Sequence, residues 1–445
     1  MARAATPTRS PQTPPARPQS VACQTCPDNK KPRRVVTVRA SIFFDGTQNN
    51  RTNTDLRLAY DRQRASGGRA RSPGSGSYEN DYSNVAILEQ VIAKEQPGYD
   101  YFVPLYVEGI GTTDRDSDTT MPGVARGTGA TGIEAKVKSG LDRMVREIAS
   151  KVGDPSNTRI AHVHIDSFGF SRGAAAARHF IQRAVRDGAE RVMPRLQASG
   201  FEVGQVKMRY VGLFDTVASH GGDRSDDTRT LSLNAIAVAE KVVQLAAAEE
   251  HREYFPLTNI DSAGNGTQIF LPGVHSDVGG GYVDNGAETN YQVFDLDTVR
   301  LNQAERAALQ RERDWLIALG WYLPAEIGDT SFFNEINVNR TGIRNTFARI
   351  PLQMQARLAR ELQLVWLPTL QQRHAVPADL RGVEASVTRI NAQSPGVYFN
   401  SRDAVHRRLR HRYLHFSARY GEIGHWPNWV GGKINGRRQR VIFNG

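Results

Sequence analysis

Loose alternation of apolar and polar positions marks the first predicted element, VVTVRASIFF at Val35–Phe44, which is rich in β-branched and aromatic residues. This pattern predicts a β-strand, and the turn sequence Asp45-Gly46-Thr47 ends it. Short apolar runs of the same kind recur further along the chain. They predict strands at Tyr101–Val107, Arg159–Phe168, Val206–Phe214 and Gln268–Leu271.

Apolar residues at helical spacing lie between these strands. The clearest case is Ile133–Lys151, where an apolar residue returns every three or four positions. Further helices are predicted at Asn84–Ala93 and at Arg172–Arg186, which has four consecutive alanines near its start. Strands that alternate with helices are typical of a mostly parallel sheet covered on both faces. The sequence therefore predicts an α/β fold with a mostly parallel central sheet flanked by helices.

The chain divides into three expected parts. Residues 1–34 contain seven prolines and seven lysines or arginines without a hydrophobic period, so we expect a disordered basic tail. Residues 35–300 carry the alternating strands and helices of the catalytic core. From about Leu301 onward helical patterns predominate, and the ending VIFNG predicts a last strand. We expect residues 301–445 to form a helical cap or insertion and to complete the fold.

The bulk composition excludes an integral membrane protein but little else. Of 445 residues, 39% are hydrophobic and 23% are charged, and no apolar stretch approaches the roughly 18 to 20 residues that span a bilayer. The formal net charge of +11 indicates affinity for a polyanion, either nucleic acid or an anionic lipid surface. The basic residues are scattered and lack interleaved aromatic residues, which argues against a nucleic-acid groove.

The tail carries the two cysteines, Cys23 and Cys26, as a lone C-x-x-C. Without a second pair, a zinc site of four cysteines within one chain is excluded. The alternatives are a thiol pair or local disulfide of no importance, or redox or metal chemistry with a partner. The tail also lacks the apolar segment of a secretory signal, so we expect synthesis in the cytoplasm and export by another route.

The pentapeptide Gly169-Phe170-Ser171-Arg172-Gly173 fits the pattern G-x-S-x-G. It follows a predicted strand and opens a predicted alanine-rich helix, which is the context of a nucleophile elbow. Gly169 and Gly173 would let the chain turn sharply without a clash, and N–H groups at the helix start would face a developing oxyanion. A purely structural turn is the alternative. We expect Ser171 to be the nucleophile of a serine hydrolase.

A serine nucleophile needs a histidine base and an orienting carboxylate, which in this fold follow it along the chain. Asp215 closes the predicted strand Val206–Phe214 and would lie at the same edge of the sheet as the elbow. His275 lies in a glycine-flanked loop after the last predicted core strand. The alternatives are a turn or capping role for Asp215 and a structural role for His275. Asp277 could replace Asp215, although it is better placed to hold the loop.

The oxyanion hole of such an enzyme needs two N–H donors. One is expected at Arg172, the residue after the nucleophile. The other is expected at Gly46, with Asp45 in a supporting role, unless that loop is a plain β-turn. This chemistry requires no metal and no cofactor.

Seven motifs occur together in the order FFDGTQNN (Phe43–Asn50), SNVAIL (Ser83–Leu88), YVEGIGT (Tyr106–Thr112), GFSRGA (Gly169–Ala174), VGLFDTVAS (Val211–Ser219), PGVHSDVGGGY (Pro272–Tyr282) and IPLQM (Ile350–Met354). This set resembles the α/β-hydrolase domain family that includes the first class of type VI secretion lipase effectors. In the family's pattern the serine of GFSRG, the aspartate of GLFDT and the histidine of PGVHSD form the triad. They correspond here to Ser171, Asp215 and His275.

The resemblance implies an α/β-hydrolase fold and a toxin of the phospholipase A type that hydrolyses acyl esters of membrane phospholipids. It implies delivery by the type VI apparatus into the periplasm of a target cell or into a host cell. The implied partners are a secretion spike protein and a cognate immunity protein, and nucleic acid is not among them.

Two other functions remain open. An esterase or thioesterase for soluble acyl compounds would be most active on short monomeric esters, without stimulation by vesicles. A non-enzymatic basic binding module would show salt-sensitive DNA binding that survives Ser171→Ala.

Overall fold

The computed structural model describes residues 33–68, 72–118, 127–219, 227–298, 300–328, 334–422 and 424–445. The expected tail, with Cys23 and Cys26, therefore lies outside the described residues except for Arg33 and Arg34. Arg34 already begins the first strand.

Within these ranges the chain forms twelve strands. They are β1 (Arg34–Phe44), β2 (Tyr101–Val107), β3 (Thr158–Phe170), β4 (Glu202–Phe214), β5 (Lys241–Ala247), β6 (Leu257–Thr258), β7 (Gly266–Leu271), β8 (Gly286–Asp295), β9 (Glu335–Ile343), β10 (Trp429–Val430), β11 (Arg437–Arg438) and β12 (Ile442–Phe443).

The same part of the chain forms thirteen α-helices. They are α1 (Arg51–Ala65), α2 (Asn84–Val91), α3 (Ile133–Val152), α4 (Arg172–Ile181), α5 (Val192–Ala198), α6 (His275–Gly279), α7 (Gln303–Leu319), α8 (Arg349–Arg360), α9 (Thr369–His374), α10 (Arg381–Ile390), α11 (Gly396–Phe399), α12 (Ala404–Tyr413) and α13 (Gly432–Asn435).

Six parallel strands in the order β2-β1-β3-β4-β5-β7 form the central sheet, so their carboxyl ends meet along one edge. Successive side chains of a strand point to opposite faces. In β1, Phe43 belongs to one apolar cluster, whereas Ile42 and Phe44 belong to the other. Both faces of the sheet are therefore covered, and the predicted α/β fold with a mostly parallel sheet is confirmed.

Helices from different parts of the chain cover the two faces. Residues of α3, α4 and α5 join the cluster that contains Ile42, and residues of α2, α7 and α8 join the cluster that contains Phe43. Leu316 on α7 and Leu352 on α8 are fully buried. The helices after Leu301 thus pack into the same core as the central sheet.

Three of the elements that the sequence did not predict show the physical reason for the difference. The buried residues of α1 are the polar Asn53 and Thr54, so no apolar periodicity revealed this helix. The strand β5, KVVQLAA, is short and lacks the alternation of apolar and polar residues that marks a strand, and its Gln244 is buried together with its apolar residues. The mainly helical pattern expected between Leu301 and the final strand does not include β9, which pairs antiparallel with β8 and alternates between buried and more exposed positions over its first residues.

The end of the chain returns to the core. The strand expected from VIFNG is present as β12, but it pairs with the short strand β6 and not with the central sheet. Among the described residues, no helix is both long and apolar enough to cross a membrane.

Candidate active site

Ser171 stands between the end of β3 and the start of α4, at the carboxyl edge of the sheet. Its backbone has φ 59° and ψ −130°, a conformation that residues with a side chain rarely adopt. The Ser171 N–H donates to Phe214 O at 3.0 Å, and the Val217 N–H donates to Ser171 O at 3.3 Å. The loop after β4 therefore fixes a strained strand-to-helix turn, which is the geometry of a nucleophile elbow.

The two glycines of the elbow are required by close packing. A Cβ at Gly173 would lie 2.2 Å from Asp45 O, and a Cβ at Gly169 would lie 2.4 Å from Gly173 O. Neither glycine has a positive φ. Within the motif, Ser171 is the residue with a positive φ. The glycines contribute by letting α4 approach the ends of β1 and β3, which sets Ser171 beside the loop after β1.

Asp215 follows β4 directly and is fully buried. The guanidinium of Arg440 faces both carboxylate oxygens, with Nη1 at 2.7 Å from Oδ1 and Nη2 at 2.8 Å from Oδ2. The Ala247 N–H at the end of β5 also donates to Oδ1 at 2.8 Å. These contacts fix the orientation of the carboxylate.

His275 is the first residue of α6, in the loop that follows β7. Its Nδ1 lies 2.6 Å from Asp215 Oδ2 and donates to it, because an ionised carboxylate only accepts. The other ring nitrogen, Nε2, is then an acceptor. The imidazole centroid lies 4.6 Å from the ring of Phe170, the neighbour of Ser171, and 5.0 Å from the ring of Phe255. The structure therefore brings His275 to Asp215 and places its ring beside the elbow.

The environment shifts the titration of both partners. Burial lowers the pKa of His275 below its ordinary value, although the Asp215 carboxylate acts in the opposite direction. Burial acts to raise the pKa of Asp215, but the charge of Arg440 and the contacts with His275 outweigh it and lower that pKa. Near neutral pH the two groups are a carboxylate and a neutral imidazole, which are the states that a general base requires.

Two buried glutamates hold the loop that carries His275. Glu249 accepts the Gly273 N–H at 2.8 Å and pairs with Arg410 at 2.5 Å. Glu250 accepts the His275 N–H at 3.2 Å. Since Arg410 lies on α12, the C-terminal part of the chain helps to position the histidine loop.

Asp277 faces away from the contact between His275 and Asp215. Its Oδ2 accepts the Val274 N–H at 3.0 Å, and its Oδ1 accepts from His415 Nδ1 at 2.8 Å. The structure thus places Asp215, and not Asp277, at the imidazole of His275. Asp277 ties the loop to the chain that follows α12.

The loop after β1 is organised around Asp45, whose carboxylate is buried. It accepts from Ser83 Oγ at 2.5 Å, from Tyr106 Oη at 2.6 Å and from the Gly46 N–H at 2.8 Å. The N–H expected to face the oxyanion therefore has an internal partner in this structure. In the next residue, the Thr47 hydroxyl is buried without a hydrogen-bond partner among the described residues.

Arg172, the other expected oxyanion residue, is the first residue of α4. Backbone N–H groups in the first turn of a helix have no acceptor within that helix. The Arg172 N–H therefore lies directly beside Ser171, and its position in the first turn of α4 leaves it available to donate to an oxyanion.

Sequence reasoning missed Arg440, which holds Asp215 across 225 positions of the chain. It stands in a run of basic residues, GRRQR, and nothing in the local pattern distinguishes it from its neighbours. Phe255, which packs on His275, lies in a segment without helix or strand pattern and was missed for the same reason. Contacts between residues this far apart in the sequence can be identified only from the folded structure.

Fold and geometry together define a structural class. A parallel sheet, a serine in a strained strand-to-helix turn and a histidine–aspartate contact near that turn are the features of the α/β-hydrolase fold.

Comparison with protein families gives a more particular result. The family model described as "T6SS, Phospholipase effector Tle1-like, catalytic domain" matches residues 183–309. This segment contains Asp215 and His275 and begins after Ser171. No curated protein matches the chain.

Two solved structures are similar to the chain. One is the Tle1 effector bound to the VgrG spike from the Type 6 secretion system, with a TM-score of 0.62 and 22% identity over 96% of this chain and 99% of that chain. The other is an uncharacterized protein from Pseudomonas aeruginosa, with a TM-score of 0.41 and 16% identity over 82% of this chain and 52% of that chain. The first similarity confirms the fold, and the family model supports the resemblance inferred from the motifs over residues 183–309.

Proposed function

We propose that this chain is a serine lipase of the phospholipase A type, used as a toxin effector of type VI secretion. The observation that carries the proposal is the 2.6 Å contact between His275 Nδ1 and Asp215 Oδ2, made beside the elbow of Ser171. The match of residues 183–309 to a Tle1-like phospholipase domain supports the substrate class.

In the proposed mechanism, His275 Nε2 takes the proton of Ser171 Oγ, and that oxygen attacks the ester carbonyl carbon. Asp215 orients the imidazole and stabilises the imidazolium, while Arg440 keeps the carboxylate ionised. The imidazolium then gives its proton to the departing alkoxide, so that the lysophospholipid leaves as an alcohol. A water molecule deprotonated by His275 releases the fatty acid from Ser171.

The tetrahedral intermediate carries a negative oxygen, for which we assign the Arg172 N–H and the loop after β1 as donors. Because the Gly46 N–H donates to Asp45, the second donor is either that N–H after a change of partner or the Thr47 hydroxyl.

The variant Thr47→Val separates these two donors. If the hydroxyl stabilises the oxyanion, kcat falls about 100- to 1,000-fold with little change in KM. An unchanged kcat assigns the role to Gly46. Steady-state kinetics on a soluble ester give the answer, and thermal unfolding controls for the fold.

Delivery is the second part of the proposal. The Tle1 effector of the similar structure is bound to a VgrG spike. We propose that a spike protein also carries this chain, into the periplasm of a target cell or into a host cell, and that an immunity protein protects the producer. Co-purification with the products of adjacent spike and small lipoprotein genes tests both partners, and absence of either complex counts against that partner.

Mass spectrometry of treated phospholipid vesicles tests the activity. We expect equal amounts of lysophospholipid and fatty acid from the wild type and neither product from Ser171→Ala. Ser199→Ala makes the same change at an exposed serine and should retain activity. Equal products from wild type and Ser171→Ala, or none from the wild type, would reject the proposal. Higher activity on short soluble esters without vesicle stimulation would favour the esterase alternative.

A further inference from the structure

A cavity of about 430 Å³ lies next to the contact between His275 and Asp215. Two of its lining residues touch these groups directly. Arg440 holds both oxygens of Asp215, and Glu250 accepts the His275 N–H. Ser171 is not among the described residues that line the cavity. The cavity is therefore a compartment separate from the nucleophile, although one side chain links it to the catalytic aspartate.

The apolar part of the lining includes four large side chains from the last third of the chain. They are Trp315 on α7, Phe399 on α11, Trp429 on β10 and Ile434 on α13. Aromatic and aliphatic surfaces of this kind bury a hydrocarbon chain favourably. The volume is within the range of about 300 to 1,000 Å³ that is typical of small-molecule sites, and it suits one acyl chain.

The polar part of the lining is basic. Five of its residues are cationic: Arg311, Lys433, Arg437, Arg438 and Arg440. The two lining glutamates are each paired with an arginine, Glu250 with Arg252 at 2.9 Å and Glu312 with Arg438 at 2.7 Å. Within the described ranges, Lys433 and Arg437 have no carboxylate partner. Lys433 instead lies 4.6 Å from the ring of Tyr420, and Arg437 donates to the Gln439 amide.

We propose that this cavity binds a single-chain anionic amphiphile, with its chain against Trp315 and Trp429 and its anionic head at Lys433 and Arg437. The fatty acid released in the proposed reaction belongs to this chemical class, so the biological source of the ligand rests on the proposed function. Binding of such an amphiphile to the cavity does not depend on the proposed function. A bound molecule would lie against Arg440 and, through it, act on Asp215.

Quenching of tryptophan fluorescence by 9,10-dibromostearate tests binding on the full chain carrying Ser171→Ala, which cannot turn over lipid. Bromine quenches tryptophans that it approaches closely, and Trp315 and Trp429 line the cavity. We expect saturable quenching below the aggregation limit of the amphiphile, and a smaller amplitude in Trp429→Phe. Among shorter competing fatty acids, affinity should fall about four-fold for each CH2 removed.

Two comparisons test the role of charge. The methyl ester of the same chain, which lacks the anion, should bind at least ten-fold more weakly. The double variant Lys433→Glu with Arg437→Glu should weaken binding of the acid by a similar factor. Lys94→Glu with Arg146→Glu makes the same charge change at two exposed residues outside the lining and should leave affinity unchanged. The ester comparison uses an unaltered cavity and stays decisive if the double variant does not fold.

Absence of saturable quenching, or equal binding of acid and methyl ester, overturns the cavity proposal. The proposed function is judged separately. If Ser171→Ala binds the amphiphile but the wild type releases no fatty acid from vesicles, the cavity proposal stands and the proposed function fails. If the wild type hydrolyses lipid and Ser171→Ala shows no quenching, the cavity proposal alone fails.

Discussion

The imidazole of His275 is held between one carboxylate and two aromatic rings, Phe170 and Phe255. The rings contribute to the burial that lowers the pKa of His275, and Asp215 limits that effect. Arg440 in turn neutralises part of the charge on Asp215. The basicity of the proposed base therefore depends on a residue that it does not touch.

We expect Arg440→Gln to move the acidic limb of the pH profile of kcat/KM to higher pH. His275 must be neutral to act, and its lowered pKa keeps wild-type activity at pH values below the ordinary histidine value of about 6.5. Without the guanidinium, Asp215 attracts the proton on His275 more strongly, so activity is lost at a higher pH. Arg440→Lys retains the charge and should keep the wild-type limb. A limb that is the same in all three proteins would contradict this role.

Gly279 sets the position of Phe170. A Cβ at Gly279 would lie 2.0 Å from the Phe170 ring, which packs against His275. We expect Gly279→Ala to lower the free energy of unfolding by about 1–3 kcal/mol and to lower kcat, because the ring must move. Gly382→Ala is the matched control, because nothing lies within 4 Å of its Cβ position, and its stability should be equal or higher by about 0.4–1 kcal/mol. Denaturant unfolding and ester hydrolysis measure both effects, and equal behaviour of the two variants would refute the packing argument.

Ser171, Asp215 and His275 could be proposed from the sequence because each lies within four residues of the end of a predicted strand, two of them near glycines that permit close approach. The roles of these residues stay predictions until activity is measured. Arg440 and Thr47 could not be found in this way, since their importance depends on contacts with distant residues or on the burial of one hydroxyl.

At the scale of elements, a buried ion pair between the antiparallel strands β8 and β9 also contacts the chain around α12. Arg340 on β9 lies 2.8 Å from Glu288 on β8, and its Nη1 also donates to Arg410 O at 2.9 Å. Because Arg410 pairs with Glu249 in turn, the β8–β9 strand pair is linked by direct contacts to the loop of His275.

Arg340→Met should lower the free energy of unfolding by about 3–5 kcal/mol, because it leaves the Glu288 carboxylate buried without its cation. Arg344→Met removes an arginine that pairs with Asp284 at the surface and should change stability by about 0–1 kcal/mol. Chemical denaturation of both variants measures the difference. Similar values for the two variants would show that the ion pair of Arg340 with Glu288 does not stabilise the β8–β9 strand pair.

The long periodic elements of the core could be predicted from the sequence, including β2 with its observed limits and α3 within one residue. Elements whose buried residues do not recur at a regular hydrophobic spacing could not be predicted. The buried polar face of α1 and the short strand β5, which is buried without alternation, gave no such signal. The alternation in β9 lies in a region where helical patterns dominate.

At the scale of the whole molecule, both ends of the described chain contribute to one site. The loop after β1 lies beside the elbow, the middle of the chain supplies Ser171, Asp215 and His275, and residue 440 holds the aspartate. The division into a core at 35–300 and a cap at 301–445 remains a proposal about the chain's organisation. Contacts such as Arg410 with Glu249 indicate that the later part helps to hold the loop of His275.

Covalent labelling with a fluorophosphonate shows most directly whether Ser171 is an activated nucleophile, because the reagent reacts with such a serine without any lipid substrate. We expect one adduct per chain, located on Ser171 by peptide mass spectrometry, and labelling at least about a thousand-fold slower in a folded His275→Gln variant. An adduct on another residue, or labelling of Ser171 at the same rate without the imidazole, would contradict this expectation.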